Sequence, residues 1–433
     1  MALFFDTVTQ HACGAHYRCN HDADQPYRRQ GSSRLNSYMI ARDTGRATIL
    51  LAVGITVAAA LPVFLVAALF TEIADDITVP RYGLGVIVAS YWVAAALVSV
   101  VAGKLTARIG ARKVVLLTLA IAVSSLLCSA LIVPSWQWLV VWTVVGGVAT
   151  GTSHPATNHL LALRVSVKNH SLAFGLKQSA VPLATLASGL SIPLIALTLG
   201  WRWAFATGAL TALLLMFAFL AFGPRRLPSG TIRVATKVPL GPELSRFFMS
   251  LACVTALGAA GATIVASFGV ISAVDRGIEA GAAGFLLSAA SAVGAFMRIG
   301  VGAAAGRDGR DALKMIAVMQ LLGGAGIFLM VPNNQWTYAL GLILAFGIGW
   351  GWPGLVHFSV SRIAGPATPA ATGIVQTGTY IGCAAGPLLA GAGYAAWGDQ
   401  AIWLLSAFML TIAGCIAFLV SKRPRPATPL APK

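Results

Sequence analysis

The chain has 433 residues, 57% of them hydrophobic and only 10% charged, with a mean hydropathy of +0.80. Soluble globular proteins carry roughly 25% charged residues, so this composition excludes a soluble protein and requires an integral membrane one. The net charge of +17 does not mark a nucleic-acid binder: no basic run is interleaved with exposed aromatics, and Lys and Arg are the residues that keep loops cytoplasmic.

Residues 1–45 read as a polar, irregular tail. It has no apolar h-region with a cleavage site, so it is not a secretory signal. His11, Cys13, His16, Cys19 and His21 are of metal-ligating type, but no core is present to hold them in a ligand geometry, and neither a metal nor another cofactor is expected. Met39, just before the first apolar run, offers an alternative start. The six cysteines are scattered, two in this tail and four in apolar stretches. Their spacing gives no disulfide framework, and they read as small buried hydrophobes.

Spans of about 20 residues with short connections then predict twelve helices. Six fall at 47–71, 83–107, 112–133, 136–162, 172–199 and 201–223, and six more at 247–273, 281–305, 311–331, 335–361, 368–395 and 400–421. The organisation predicted is a six-helix half over 46–223, a linker over 224–245, a second half over 246–421 and a basic tail over 422–433. On one side of the membrane only Arg81, Arg202 and Arg276 lie between spans, accompanied by Glu72, Asp75, Asp76, Asp275, Glu279 and Asp399. Nearly all other Lys and Arg fall in the tails, the linker or the opposite loops. The positive-inside rule then predicts a multi-pass protein of the inner (plasma) membrane with both termini cytoplasmic.

The halves repeat. Gly103, Arg108 and Gly110 recur in order and spacing as Gly302, Arg307 and Gly309. In one constant register Pro155, His159, Arg164, Gly175, Gln178 and Gly200 recur as Pro353, His357, Arg362, Gly373, Gln376 and Gly398. A parallel duplication of six-helix halves, with binding near the midplane between them, is an architecture of secondary transporters.

The turn Gly103-Lys-Leu-Thr-Ala-Arg108-Ile-Gly110-Ala-Arg112-Lys113 resembles the signature loop between the second and third helices of the major facilitator superfamily. Gly103, Arg108, Gly110, Arg112 and Lys113 match it, while Ala107 stands where that family carries an acid and Ala111 where it carries the first basic residue. In the second copy Gly302, Arg307, Gly309 and Arg310 are kept and Gly306 replaces the acid. The stretch Gly200-Trp201-Arg202-Trp203 opening the sixth span also resembles the family. The resemblance implies a twelve-helix bundle of two rocking halves that moves a small molecule by alternating access, driven by an ion or counter-substrate gradient. The family's charge lock is not implied, because its acid is missing from both copies.

Beyond Asp311, the first residue of the ninth span, no Asp or Glu lies inside a predicted span, and membrane-embedded carboxylates are the usual partners of cationic substrates. The embedded ionisable groups are Lys177, Arg298, His154, His159 and His357. Lys177 either snorkels to the interface or offers a charge to a substrate carboxylate beside Gln178. Arg298 lies deeper, and either caps the neighbouring turn or binds ligand. Two cations and no acid favour an anionic substrate, with Lys177, Gln178, Arg298, Trp350, Trp352 and Gln376 as candidate contacts.

His154 and His357 are candidate proton carriers, His154 with Asn158 one turn on; a neutral histidine bonded to a neighbouring helix is the alternative. Gly378, Gly382, Gly386-Pro387 and Ala390-Gly391 resemble the glycine–proline pattern of drug antiporters. That pattern belongs in the fifth span, where only Pro182 stands, so close helix packing is expected instead. The chain is read as a monomeric secondary transporter of a small organic anion with protons, a symporter or antiporter, rather than an enzyme. Efflux of hydrophobic compounds is the alternative, and a non-transporting receptor a weaker one.

Overall fold

The computed structural model describes residues 30–166, 170–224, 240–304 and 309–423. Most of the tail, with His11, Cys13, His16, Cys19 and His21, lies outside the described residues, as do Arg225, Arg226, Arg233, Lys237 and Arg307. Met1–Thr44 is one unit, helical from Gln30 on, and Gly45–Lys433 is a second.

The described residues are helical almost throughout, as apolar chains in lipid must be, since only helix satisfies each backbone donor within the segment. The helices are α1 Gln30–Ala68, α2 Phe70–Asp76, α3 Gly83–Ile109, α4 Ala111–Leu131, α5 Trp136–Arg164, α6 His170–Gln178, α7 Ala180–Ser191 and α8 Trp201–Phe222. They continue as α9 Pro242–Asp275, α10 Ala280–Ala304, α11 Gly309–Phe328, α12 Gln335–Leu344, α13 Pro353–Ala364, α14 Thr368–Trp397 and α15 Asp399–Lys422. Nine segments among the described residues are long and apolar enough to cross a membrane. One of them, Gln335–Trp397, takes in two expected spans, Ala312–Phe328 is a shorter apolar helix, and α5 carries Thr, Ser, His and Asn along its second half.

Several expected boundaries move. The first helix begins at Gln30, not 47, and is interrupted at Leu69 before α2. The seventh begins at Pro242, inside the expected linker, because Pro242 and Glu243 suit a first helical turn. The fifth and tenth spans, expected to be continuous, are broken. Pro182 lacks the N–H that would bond the Gln178 carbonyl, so α6 stops at Gln178 and α7 starts at Ala180, ending in a π-turn over Ile192–Ala196. The tenth runs α12, a π-turn over Ala345–Gly349, a non-helical Trp350–Trp352, then α13 from Pro353.

Small residues set the helix spacing. Gly378, Gly382 and Gly386 lie against the carbonyls of Ala252, Ala256 and Ala260, so close that a Cβ would stand 2.3, 1.9 and 2.5 Å from them. These glycines therefore pack α14 on α9, one turn after another, as close helix contacts in membranes require. Gly147 and Gly151 do the same for α5 on α3, against Tyr91 and Ala95. Apart from α6 and α7, which pack chiefly on α10 of the other set, helices of the first six segments pack mainly on one another, as do those of the last six, and the two sets also meet where α3 packs on α14.

Candidate functional site

The break between α6 and α7 organises the centre of the molecule. The Gln178 carbonyl, freed by Pro182, accepts a hydrogen bond from Arg298 Nη1 of α10 at 2.6 Å. The same guanidinium donates through Nε to the Trp350 carbonyl at 3.0 Å, at the break of the tenth segment. Its carbon lies 5.2 Å from the centroid of the Trp350 ring. Arg298 is 5% exposed. An arginine has five donors in a fixed fork and no acceptor, so it suits two orphaned carbonyls, one from each set of helices. Gln178 contributes its backbone to this contact, and its side chain is half-buried.

One residue earlier, Lys177 is 2% exposed. Its Nζ lies 2.9 Å from His154 Nδ1 and donates at 2.8 Å to Asn158 Oδ1. Those two residues stand one turn apart on α5, so a single face of that helix presents both acceptors. An ammonium has only donors. A charged Lys177 therefore fixes His154 as the neutral tautomer with its proton on Nε2, and turns the amide NH2 of Asn158 away. His357 of α13 comes within electrostatic reach of Lys177 and His154, although it belongs to the other set of helices. Among the described residues no carboxylate meets Lys177. One N–H of Lys177, Nε2–H of His154 and the two amide protons of Asn158 remain, so the cluster offers donors and no acceptor.

Aromatic rings flank this cluster. Trp350 meets Phe64 of α1 edge-on at 6.3 Å and Phe346 at 5.2 Å, and Trp92 of α3 lies 6.3 Å from Tyr380 of α14. Ser99 of α3 and Gln376 of α14 lie near the Tyr380 hydroxyl, which places Gln376 at the seam between the two sets. Trp352 is turned elsewhere. It is 2% exposed and packs with the fully buried Gln320 of α11 against Gly258 of α9, so it belongs to the interior of the last six segments.

The signature turn has a structural role at its basic residues. Gly110 takes φ +86°, a conformation open to glycine, between α3 and α4. Arg112 donates to the carbonyls of Gly223 and Pro224 at 3.3 and 3.0 Å and covers Phe219, capping the end of α8. Gly103, Arg108 and Lys113 are exposed. In the second copy Gly302 lies in the last turn of α10, and Gly309 and Arg310 open α11; Arg307 lies outside the described residues.

Glycines also bring the two sets of helices together away from the signature turn. There a Cβ on Gly85 of α3 would stand 2.3 Å from the Pro387 carbonyl of α14, and one on Gly189 of α7 would stand 2.7 Å from the Gly284 carbonyl of α10. Ser288 adds a hydrogen bond to the Leu186 carbonyl at 3.0 Å. Gly175, Gly354 and Gly373 toward the signature turn, and Gly200 and Gly398 at the far end, have no described heavy atom within 4 Å of the same position. The far end also carries two ion pairs, Asp76–Arg202 and Arg276–Asp399.

Lys177 and His154 thus come together with His357 within electrostatic reach, Arg298 and Trp350 form an adjacent group, and Trp352 stands apart. Asn158, Phe64, Trp92 and Tyr380 were not among the expected contacts. The spacing of His154 and Asn158 on one helix face was a usable signal for Asn158. The rings carried none, being single aromatics in apolar runs.

The family model described as Major Facilitator Superfamily matches residues 51–367 and 314–433. No curated protein matches the chain in sequence. Among solved structures, the nucleoside transporter NupG, in a point-mutant form, superposes with a TM-score of 0.66. The match covers 86% of this chain and 99% of that one at 13% identity, a likeness of fold.

Proposed function

The chain belongs to the major facilitator superfamily and is a multi-pass membrane transporter rather than an enzyme, and from that premise we propose that it moves a small organic anion together with protons by alternating access. The halves 46–223 and 246–421 rock about the Lys177 cluster, joined by the linker 224–245. The signature turn and both termini face the cytoplasm of the inner membrane.

One observation carries the reading: Lys177 is a buried ammonium held by two neutral groups, with only donors left over. A charge taken from water without a counter-ion is costly. A carboxylate supplies that counter-ion and accepts from every donor the cluster presents. Proton coupling follows from the same contact. Protonating His154 removes the acceptor of Lys177 and sets two cations side by side, with His357 close by. An anion offsets that repulsion, so proton and anion each favour the other's binding, and the coupling is reciprocal.

The test is uptake into proteoliposomes containing the purified protein. Uptake of a monocarboxylate with co-movement of protons is expected, and Lys177→Ala should abolish it. Uptake unchanged in Lys177→Ala removes the anion site, and uptake indifferent to a protonophore removes the proton step. A second reading, efflux of hydrophobic or drug-like compounds, is supported by the rings of Phe64, Trp92, Trp350 and Tyr380. The nucleoside substrate of NupG, a neutral compound with an aromatic base, would use the same rings. Stabilisation by neutral aromatics or hydrophobic amines, with none by carboxylates, would favour that second reading.

A further inference from the structure

Asn158 holds Lys177 through Oδ1 at 2.8 Å while its own side chain is exposed. Its Nδ2 protons have no described protein partner, and the ammonium forces them to point away from Nζ. They stand beside the remaining N–H of Lys177, so a two-oxygen acceptor could meet the amide with one oxygen and the ammonium with the other. The amide also has an isosteric alternative. An aspartate here would keep the shape and the 2.8 Å contact, but would neutralise Lys177 and replace the two donors with acceptors. A single atom at this position therefore decides whether the cluster needs a counter-charge from outside.

We propose that Asn158 sets the charge selectivity of the Lys177 site, reserving its positive charge for the carboxylate of a monoanionic substrate. This rests on the reading of the cluster as an anion site. Asn158 touches the bound carboxylate, and an acid at this position would make the site reject anions and accept neutral compounds.

Thermal unfolding of the full-length protein in detergent tests it, with benzoate as the anionic probe and benzamide as its neutral counterpart. A ligand that binds only the folded state raises stability with the logarithm of its concentration. The unsubstituted protein should be stabilised by benzoate and not by benzamide. Asn158→Asp should melt higher without ligand, through its new pair with Lys177, and should need on the order of 10- to 100-fold more benzoate for the same shift. In a Lys177→Met background the same aspartate should instead lower the melting temperature, because its charge is unpaired.

An Asn158→Asp effect that is the same in both backgrounds breaks the contact and overturns the proposal. So does an Asn158→Asp protein that pairs with Lys177 yet responds to benzoate as the unsubstituted protein does. If the pairing is present and the unsubstituted protein ignores benzoate, the anion reading fails and takes the selectivity role with it.

Discussion

Two ion pairs occupy corresponding places in the two sets of helices, with their signs exchanged. In the first, Asp76 at the end of α2 accepts from Arg202 near the start of α8 and from the Trp201 indole at 3.1 Å. In the second, Arg276 just past α9 meets Asp399 at the start of α15, which also accepts from the Trp403 indole at 2.9 Å. The side chains of the first pair are 42% and 45% exposed, those of the second 3% and 20%. Arg276 is also tied to the Ser272 and Met330 carbonyls at 3.1 and 2.7 Å and lies over the Tyr338 ring. Both pairs clamp the first helix of a set to its last. The difference teaches that the clamp's place is duplicated while its polarity is not, and that burial decides what each pair is worth.

The largest effect should come from the buried member. Arg276→Ala leaves Asp399 without its counter-ion and two carbonyls without the guanidinium, and loss of one partner of a buried pair costs about 3–5 kcal/mol. Thermal unfolding in detergent checks this, and a melting temperature within a degree or two of the unsubstituted protein would dissolve the contrast. Exchanging the signs, as Arg276→Asp with Asp399→Arg, should recover little, since an aspartate cannot donate to the Met330 and Ser272 carbonyls. The corresponding exchange, Asp76→Arg with Arg202→Asp, should recover most of whatever its single substitutions lose. If both exchanges behave alike, burial is not the distinction.

Asp76→Asn should cost no more than about 1 kcal/mol, the range of exposed pairs, and less at high salt. The smallest effect is on pH. The hydrogen bond from Arg202, then that from Trp201, holds the Asp76 carboxyl below its ordinary value of 3.8. A lowered folded-state value means the stabilisation is complete above the unfolded value and is lost as pH falls through the folded one. Solvent screening keeps it small. The difference in stability between the unsubstituted protein and Asp76→Asn should therefore vanish in strong acid and be constant from pH 5 upward.

A similar contrast runs through the paired prolines. Pro155 and Pro353 stand at matching places in the repeat, yet α5 passes through Pro155 as one helix while the tenth segment breaks before Pro353. Around Pro155, hydroxyls of Thr152 and Thr157 bond carbonyls of their own helix at 2.9 and 2.7 Å. Before Pro353 stand glycines and tryptophans with no hydroxyl, and at that break the Trp350 carbonyl accepts from Arg298 of another helix. The continuous helix keeps its side-chain contacts local, and the broken segment takes a partner from another helix.

The composition and the apolar runs determine on their own that this is a helical membrane protein, and the basic turns carry its resemblance to the major facilitator superfamily. Each of those signals is local, being the requirement that a chain in lipid bond its own backbone. The absence of acids from the interior of the spans was equally legible. The pairing of Lys177 with His154 and Asn158 was not, because it joins different helices whose rotation about their axes is set by packing. Arg298 was ambiguous for the same reason: its partners are backbone carbonyls exposed by two helix breaks, and a carbonyl carries no mark in a sequence. Which buried cation is spent on the scaffold and which is left with donors to spare was decided only when the helices came together.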